Sequence, residues 1–315
     1  MKLERTYPVS RISFLITIVL LSAGCSSLPD PPDEIRTSRD RAGQYAEFGD
    51  NYYRRGEFTQ ARNFYVLALD LARSVESQNQ SARLHNSIGQ TWQAEGRLGE
   101  AEREYREAER IAIRAGNPRI EADSVNNLGK VRVARGEHEE SISLFKKAMD
   151  LLSGENEDER REAVVRHNLA IALAGVGELE EALSELEWAR ETNKRLNYRV
   201  ELASNYYMLA SIESRRANYE TAYSKALQAL EIDRSMENTR GIISDLRALS
   251  EISIRLEKRE DAFEYLDRAI RVSAGSGNTR IELALLEQAI PLATELDRTD
   301  YVSDYESRRD SLLGD

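Results

Sequence analysis

Small residues recur along this chain at an almost constant spacing, and this period constrains the fold more than any other feature. The spacing is 40 residues, with one step of 41, in each of three parallel sets. The sets are Ala68, Ala108, Ala148, Ala189, Ala229 and Ala269; Ala61, Ala101, Ser141, Ala182, Ala222 and Ala262; and Gly49, Gly89, Gly129, Ala170, Ala210 and Ser250. A fixed period of this length indicates one supersecondary unit that is repeated and stacked. We therefore expect a solenoid in which each unit contacts only its neighbours.

Each repeat unit has the pattern of two amphipathic helices joined by a tight turn. In the second unit, Leu84, Ile88 and Trp92 fall on one helical face. Gly96 follows where a glycine commonly ends a helix, and a second apolar face begins at Leu98. The turn glycine recurs in the first four units and is replaced later in the chain. The unit is therefore a helical hairpin.

The hairpin pattern resembles the tetratricopeptide repeat, in which Leu-Gly is followed by a turn glycine and then by Ala-x-x-x-Tyr/Phe-x-x-Ala. The pattern is clearest in the segments that start at Tyr45 and Asn126. The period is longer than the usual repeat and is similar to that of the kinesin light chain class. The resemblance implies an all-α, right-handed α-solenoid of stacked helix-turn-helix hairpins, with six repeats over residues 39–273. Residues 274–315 would form a degenerate capping pair, with Pro291 kinking or splitting its first helix.

The amino terminus has the pattern of a targeting segment. Lys2, Arg5 and Arg11 precede an apolar run over residues 12–23, and the only cysteine, Cys25, follows it. Such a run spans roughly 18 Å as a helix, which is short of the ~30 Å hydrocarbon core. Residues 1–24 are therefore predicted to be a signal peptide.

The end of this segment resembles the lipobox of bacterial lipoproteins. The resemblance implies that Cys25 is acylated and becomes the first mature residue, with residues 25–38 as a lipidated N-terminus and Pro-rich tether. Ser26 in place of an aspartate implies an outer-membrane location, with the protein body facing the periplasm. An ordinary secretory signal with a chance cysteine, or an uncleaved anchor, is the alternative.

Composition argues against several classes of function. The 55 acidic residues outnumber the 44 Lys and Arg, and this surface would repel nucleic acid. The three histidines lack metal-ligand spacing, and no phosphate-binding glycine motif or nucleophile elbow is present. We expect no catalytic residues, no metal, no cofactor and no small-molecule substrate. The protein is predicted not to be an enzyme.

The candidate binding site is the concave groove, which in tetratricopeptide proteins is lined by the first helix of each hairpin. Its candidate residues here are Tyr53, Arg54, Asn86, Gln90, Asn126, Asn127, Lys130, His167, Asn168, Tyr207, Arg215 and Arg255. Asn86, Asn127 and Asn168 recur within one helical position of equivalence. Because a primary amide both donates and accepts, such a row can pair with the backbone of an extended peptide. The alternative is that these amides satisfy neighbouring helices, and that Tyr53 and Tyr207 pack between repeats.

A second row of asparagines falls in the connections between hairpins. Its members are Asn117, Asn197, Asn238 and Asn278, each with an arginine two residues later. We expect turn and helix-capping roles for them.

The sequence therefore predicts a protein–protein interaction scaffold or adaptor. It would be held at a membrane by lipid and would bind a partner's peptide segment in its groove. One alternative is an assembly factor for an envelope machine, similar to pilotins or to barrel-assembly subunits. Another is a non-catalytic subunit of a cell-wall or protease complex, and a third is a structural envelope protein that self-associates.

Overall fold

The structure is a computed structural model that describes residues 33–154 and 158–314. In this part of the chain every regular element is a helix, and consecutive helices pack as antiparallel pairs. The helices are α1 (Asp33–Arg54), α2 (Phe58–Ser74), α3 (Gln78–Ala94), α4 (Leu98–Arg114), α5 (Pro118–Ala134), α6 (His138–Leu151), α7 (Glu159–Val176), α8 (Leu179–Arg195), α9 (Arg199–Arg215), α10 (Tyr219–Ser235), α11 (Thr239–Arg255), α12 (Arg259–Ser276), α13 (Thr279–Glu295) and α14 (Thr299–Gly314). The fold is the predicted all-α solenoid of stacked hairpins.

The 40-residue period is the sum of two helices and two short connections. In the second unit, α3 and α4 have 17 residues each, and three-residue connections occupy 95–97 and 115–117. The middle residue of such a connection adopts a left-handed conformation, as at Gly96 with φ 75° and Gly116 with φ 61°. This conformation lets the last helical carbonyls accept bonds from the connection, such as Arg97 N–H to the Trp92 carbonyl. The additional length relative to ordinary repeats therefore lies in the helices.

Later connections keep the same backbone without glycine. Asn197, Ala217, Glu237 and Glu257 all have φ between 54° and 62°. A side chain in this region costs roughly 1–2 kcal/mol relative to glycine. The neighbouring hairpins therefore hold a turn that the local sequence does not favour.

The second row of asparagines has the predicted role in three of four cases. The side-chain oxygens of Asn117, Asn238 and Asn278 accept bonds from the backbone N–H three residues later. The helices that follow therefore begin with a satisfied cap. Asn197 differs because it is itself the left-handed residue of its connection, and Tyr198 takes the capping position.

Two boundaries differ from expectation. Helix α1 begins at Asp33, so residues 33–38, which the sequence assigned to the tether, are helical. A proline disrupts a helix that would continue through it, but it is compatible with the start of a helix. Helix α13 runs through Pro291 without being split. Pro291 and Glu287, whose carbonyl loses its helical partner, are both exposed, so water can solvate that carbonyl.

The predicted signal peptide (residues 1–24), Cys25 and the first part of the tether lie outside the described residues. None of the helices in the described ranges is long and apolar enough to cross a membrane.

The inner side of the solenoid is made by the odd-numbered helices. Helix α3 packs on α5, α5 on α7, α7 on α9 and α9 on α11, and no even-numbered pair in the described part packs to a comparable extent. The odd-numbered helices therefore lie at the smaller radius. The curvature is strong enough that Arg240 Nη2, at the start of α11, lies 3.6 Å from the position that a Cβ on Gly56 would occupy. The sixth hairpin thus reaches the turn of the first.

Close approach within the first three hairpins depends on a glycine that faces an aromatic ring. A Cβ on Gly49, Gly89 or Gly129 would lie 2.5 Å from the ring of Tyr65, Tyr105 or Phe145, respectively. The corresponding pairs in later hairpins are Ala170 with Leu186, Ala210 with Ala226 and Ser250 with Leu266. A small side chain therefore faces a large one in each of these hairpins except the fifth, where Ala210 faces Ala226.

Candidate functional site

The predicted groove residues belong to the odd-numbered helices, which the structure places on the inner side. Asn86 and Gln90 lie on α3, Asn126, Asn127 and Lys130 on α5, and His167 and Asn168 on α7. Tyr53 and Arg54 end α1, Tyr207 and Arg215 lie on α9, and Arg255 ends α11. All of the predicted residues therefore lie on odd-numbered helices. Whether they contact a ligand stays a prediction.

The asparagines pair with one another across the repeats. Asn127 Nδ2 donates to Asn86 Oδ1 at 3.4 Å, and Asn86 Nδ2 donates to Ser124 Oγ at 2.9 Å. Asn168 Nδ2 donates to Asn126 Oδ1 at 2.8 Å. Asn86, Asn126 and Asn127 are 5–7% exposed. These amides are therefore part of the contact between successive first helices, which is the alternative that the sequence left open.

Some amide atoms in this row nevertheless have no hydrogen-bond partner in the protein. In the described ranges, Asn127 Oδ1, Asn168 Oδ1 and Asn126 Nδ2 make no hydrogen bond. None of them is among the buried side-chain atoms that lack a partner, so each remains accessible to water. These atoms are the ones in the row that a peptide backbone could satisfy.

His167 is held in a buried chain of side chains between α7 and α9. Asn193 Nδ2 donates to Asn205 Oδ1 at 2.7 Å, and Asn205 Nδ2 lies 2.9 Å from His167 Nδ1, which therefore accepts. Burial, together with the nearby Lys130 ammonium, lowers the pKa of His167 to about 4. The imidazole is thus neutral at pH 7. It acts as a hydrogen-bonded partner of the scaffold and adds no charge to the groove.

The structure brings three of the predicted residues to one cavity. Tyr53, Gln90 and Lys130 line an open cavity of about 370 Å³, together with Gln93 and Ala94. Sequence reasoning missed Gln93, although it follows Gln90 by three positions and so lies on the same helical face. It also missed Arg240, whose charge opposes the rise in the pKa of Tyr53 that burial causes. Arg240 is distant in sequence, and only the curvature of the solenoid brings it close to Tyr53.

The other predicted residues have separate environments. Arg215 Nη1 donates to the Ala174 carbonyl at 2.6 Å, which ties α9 to the end of α7. Arg54 donates to Asn51 within its own helix. Tyr207 is half-buried against the central hydrophobic cluster, as the packing alternative expected, and Arg255 is exposed.

The described residues contain no group of three or more His, Cys, Asp or Glu side chains that could hold a metal ion. His85 lies between Glu104 and Arg73, with Nδ1 2.6 Å from Glu104 Oε2 and Nε2 3.1 Å from Arg73. His138 begins α6, where its ring packs against Gly175 and its Nδ1 is buried.

Comparison with solved structures shows the same architecture in several proteins. A Rap protein complexed with competence and sporulation factor aligns with a TM-score of 0.61 at 15% identity, covering 90% of this chain and 98% of that one. BtubC (BKLC) from P. vanneervenii aligns with a TM-score of 0.57 at 19% identity, covering 76% and 92%. A Podosopora anserina putative kinesin light chain protein with TPR-like repeats aligns with a TM-score of 0.51 at 16% identity, covering 64% and 97%. At these identities the likeness concerns the fold alone.

Sequence comparison identifies the repeat itself. None of the curated proteins matches this sequence. The family profile described as tetratricopeptide repeat matches residues 121–195, which run from α5 to the end of α8. The same hairpin continues on both sides of this segment with the same spacing and packing. The tetratricopeptide repeat is therefore identified over residues 121–195, within a chain whose described residues form an α-solenoid of stacked hairpins.

Proposed function

We propose that this protein is a membrane-anchored periplasmic lipoprotein that acts as an interaction scaffold or adaptor, and that it binds peptide segments of a partner in its concave groove. The observation that carries the proposal is a set of water-accessible polar atoms on the inner helices that bond to no other protein group. Lys130 Nζ, Asn127 Oδ1 and Asn168 Oδ1 have no partner in the described ranges and follow one another along α5 and α7. A bound polypeptide backbone supplies the donors and acceptors that these atoms lack.

Two further lines support the proposal. The described residues hold no cluster suited to metal chemistry, and repeat solenoids generally serve as extended binding surfaces. One structure of similar fold is described as a Rap protein complexed with competence and sporulation factor. The anchor rests on the sequence pattern that ends in Cys25, which is also the only cysteine available for acylation.

The groove can be tested by site-specific photocrosslinking in native envelopes. A photoreactive amino acid at Asn168 is expected to form adducts with a partner protein. The same amino acid at Lys146, an exposed residue of the outer helix α6, is expected to form few or none. Mass spectrometry would identify the adducts, and circular dichroism would confirm that both variants are folded. Equal adduct formation at the two positions would contradict binding in the groove.

The anchor can be tested by metabolic labelling with a clickable fatty acid. Wild-type protein is expected to incorporate the label and to sediment with membranes. Cys25→Ala is expected to lose the label and to appear in the soluble fraction, because the acyl chains provide the attachment. Equal labelling of the two proteins would show that Cys25 is not the acceptor.

A further inference from the structure

The first hairpin exposes an aromatic surface at the N-terminal end of the solenoid. The Phe64 ring on α2 packs against the rings of Tyr45, Phe48 and Tyr52 on α1, with centroids 6.2, 5.5 and 5.3 Å away, respectively. Leu67 follows Phe64 by three positions and so lies on the same side of α2. Phe48 is 50% exposed and Leu67 is 47% exposed. These five residues form what we call the first-hairpin face, and a contiguous exposed apolar surface commonly marks an interaction site.

The second hairpin buries the corresponding surface. The position of Phe48 is there occupied by Ile88, which is only 4% exposed because it packs in one cluster with Tyr65 and Leu69 of the preceding hairpin. The first hairpin has no predecessor among the described residues, and α1 packs extensively on α2 alone in those ranges. The first-hairpin face is therefore the surface that a solenoid normally covers with another hairpin.

The apolar character of this face also exceeds what the repeat pattern requires. Phe64 and Leu67 stand where the second hairpin has Glu104 and Glu107. Terminal repeats of a solenoid normally have a polar outer surface. Helix α14 at the opposite end follows this rule, because most of its exposed side chains are charged or polar. The two ends of the solenoid therefore differ, and the N-terminal end calls for an apolar partner.

The chain before α1 indicates which partner is close. Cys25, the proposed acceptor of the lipid, precedes Asp33 by eight residues, so a fully extended chain places the start of α1 within about 27 Å of the anchor. Acidic and basic residues are equal in number over residues 33–74, whereas acidic residues are in excess over 75–315. The first hairpin can therefore approach an anionic bilayer without the repulsion that the rest of the chain would experience.

We propose that the first-hairpin face contacts the surface of the membrane that holds the anchor. Phe48 and Leu67 lie at the boundary between headgroups and acyl chains, and the tyrosines lie at the level of the headgroups, where their hydroxyls stay hydrated. The inference rests on the proposed function, because it takes the anchor at Cys25 as given. It adds an orientation in which α1 and α2 run along the membrane and α14 is the helix farthest from it.

The first test measures the depth of the face. Because Cys25 is the only cysteine and is acylated in the proposal, an introduced cysteine can be labelled alone. Lipidated Leu67→Cys carrying a small fluorophore is reconstituted into phosphatidylethanolamine–phosphatidylglycerol vesicles that contain nitroxide-labelled phospholipid. We expect this label to lose most of its emission to the nitroxide. The same label on Leu313→Cys, at an exposed position of α14, should keep its emission. An unquenched label on Leu67→Cys would overturn the proposal.

The second test measures the orientation that the face imposes. Energy transfer from a fluorophore on Leu313→Cys to a dye in the bilayer should be low in the wild-type background. Phe48→Gln combined with Leu67→Gln should raise the transfer, because the solenoid can then tilt on its tether. The matched control, Ile113→Gln combined with Ile254→Gln, changes two exposed side chains on α4 and α11 and should leave the transfer unchanged. Circular dichroism would confirm that both double variants are folded. Equal transfer in the two double variants would overturn the proposal.

The outcomes separate the membrane contact from the proposed function. Protein that fails to float with the vesicles lacks the anchor, and the membrane contact then falls with it. Protein that floats while its label on Leu67→Cys stays unquenched retains the anchor and the groove but loses the contact. A label on Leu67→Cys that resists the nitroxide but self-quenches as the protein density rises would assign the face to a second copy of the chain, which would also overturn the proposal.

Discussion

Gly129→Ala is expected to destabilise the third hairpin by about 1–2 kcal/mol, although alanine is the better helix former. The new methyl group would lie 2.5 Å from a carbon of the Phe145 ring, which is fully buried and cannot move aside. Overpacking of this kind typically costs about 1–3 kcal/mol, and the gain in helix propensity offsets up to about 1 kcal/mol of it. Urea unfolding, with hydrogen exchange of α5 and α6 to localise the effect, would measure the change.

A second substitution is expected to restore the loss. The fourth hairpin places Ala170 and Leu186 where the third has Gly129 and Phe145. Phe145→Leu alone leaves a cavity and is destabilising, but together with Gly129→Ala it reproduces the packing of the next repeat. The double variant should therefore be more stable than the sum of the single effects predicts, by about 1 kcal/mol or more.

Gly99→Ala is the matched control for this experiment. Gly99 is also helical, but nothing lies within 4 Å of an added Cβ there. The control should be unchanged or slightly stabilised. If Gly129→Ala behaved in the same way, the ring contact would not limit the approach of the two helices.

Asp245→Asn is expected to stabilise the protein at pH 8–9 by about 1–3 kcal/mol, the cost of an uncompensated buried polar group. Asp245 on α11 is 1% exposed and interacts with Asp233 on α10, which accepts from Asn238 Nδ2 at 2.9 Å. Burial and the Asp233 charge raise the pKa of Asp245 to about 8, so it keeps its proton at neutral pH. Burial also raises the pKa of Asp233.

The sign of the pH dependence follows from the raised pKa. Well below the ordinary aspartate pKa of 3.8, Asp245 is protonated in both states and the substitution should change stability little. As the pH rises from about 4 to 8, the unfolded state loses this proton while the folded state keeps it, so wild-type stability falls. The difference between variant and wild type should grow over this window and level off above pH 8. Asp304→Asn, at an exposed position of α14, should show no such trend. If the curves of stability against pH were parallel for Asp245→Asn and the wild type, the interpretation of Asp245 as a buried acid would be contradicted.

Local sequence predicted the features of the fold that depend on nearest neighbours. The period of small residues predicted the hairpins, and the Asn-x-Arg row predicted caps at Asn117, Asn238 and Asn278. These features follow from backbone geometry and side-chain spacing, both of which are local.

The remaining features depend on contacts that span repeats. The sequence indicated a row of asparagines, but only the separation of α3, α5 and α7 determines that Asn86 and Asn127 bond to each other. The left-handed conformation of Glu257 is imposed by the hairpins on either side of it. The approach of Arg240 to the first turn depends on the summed rotation of five junctions, which no local pattern encodes.

That approach also makes the shape of the solenoid sensitive to small changes in the angle between neighbouring hairpins. Because each hairpin contacts only its neighbours, a small angular change at every junction adds up along the coil. Within one winding, we expect the summed angular changes to have their greatest effect on the distance between Arg240 and Gly56. A polypeptide threaded through the interior would alter the pitch, so a pair of fluorophores across this gap would report occupancy without touching the bound chain.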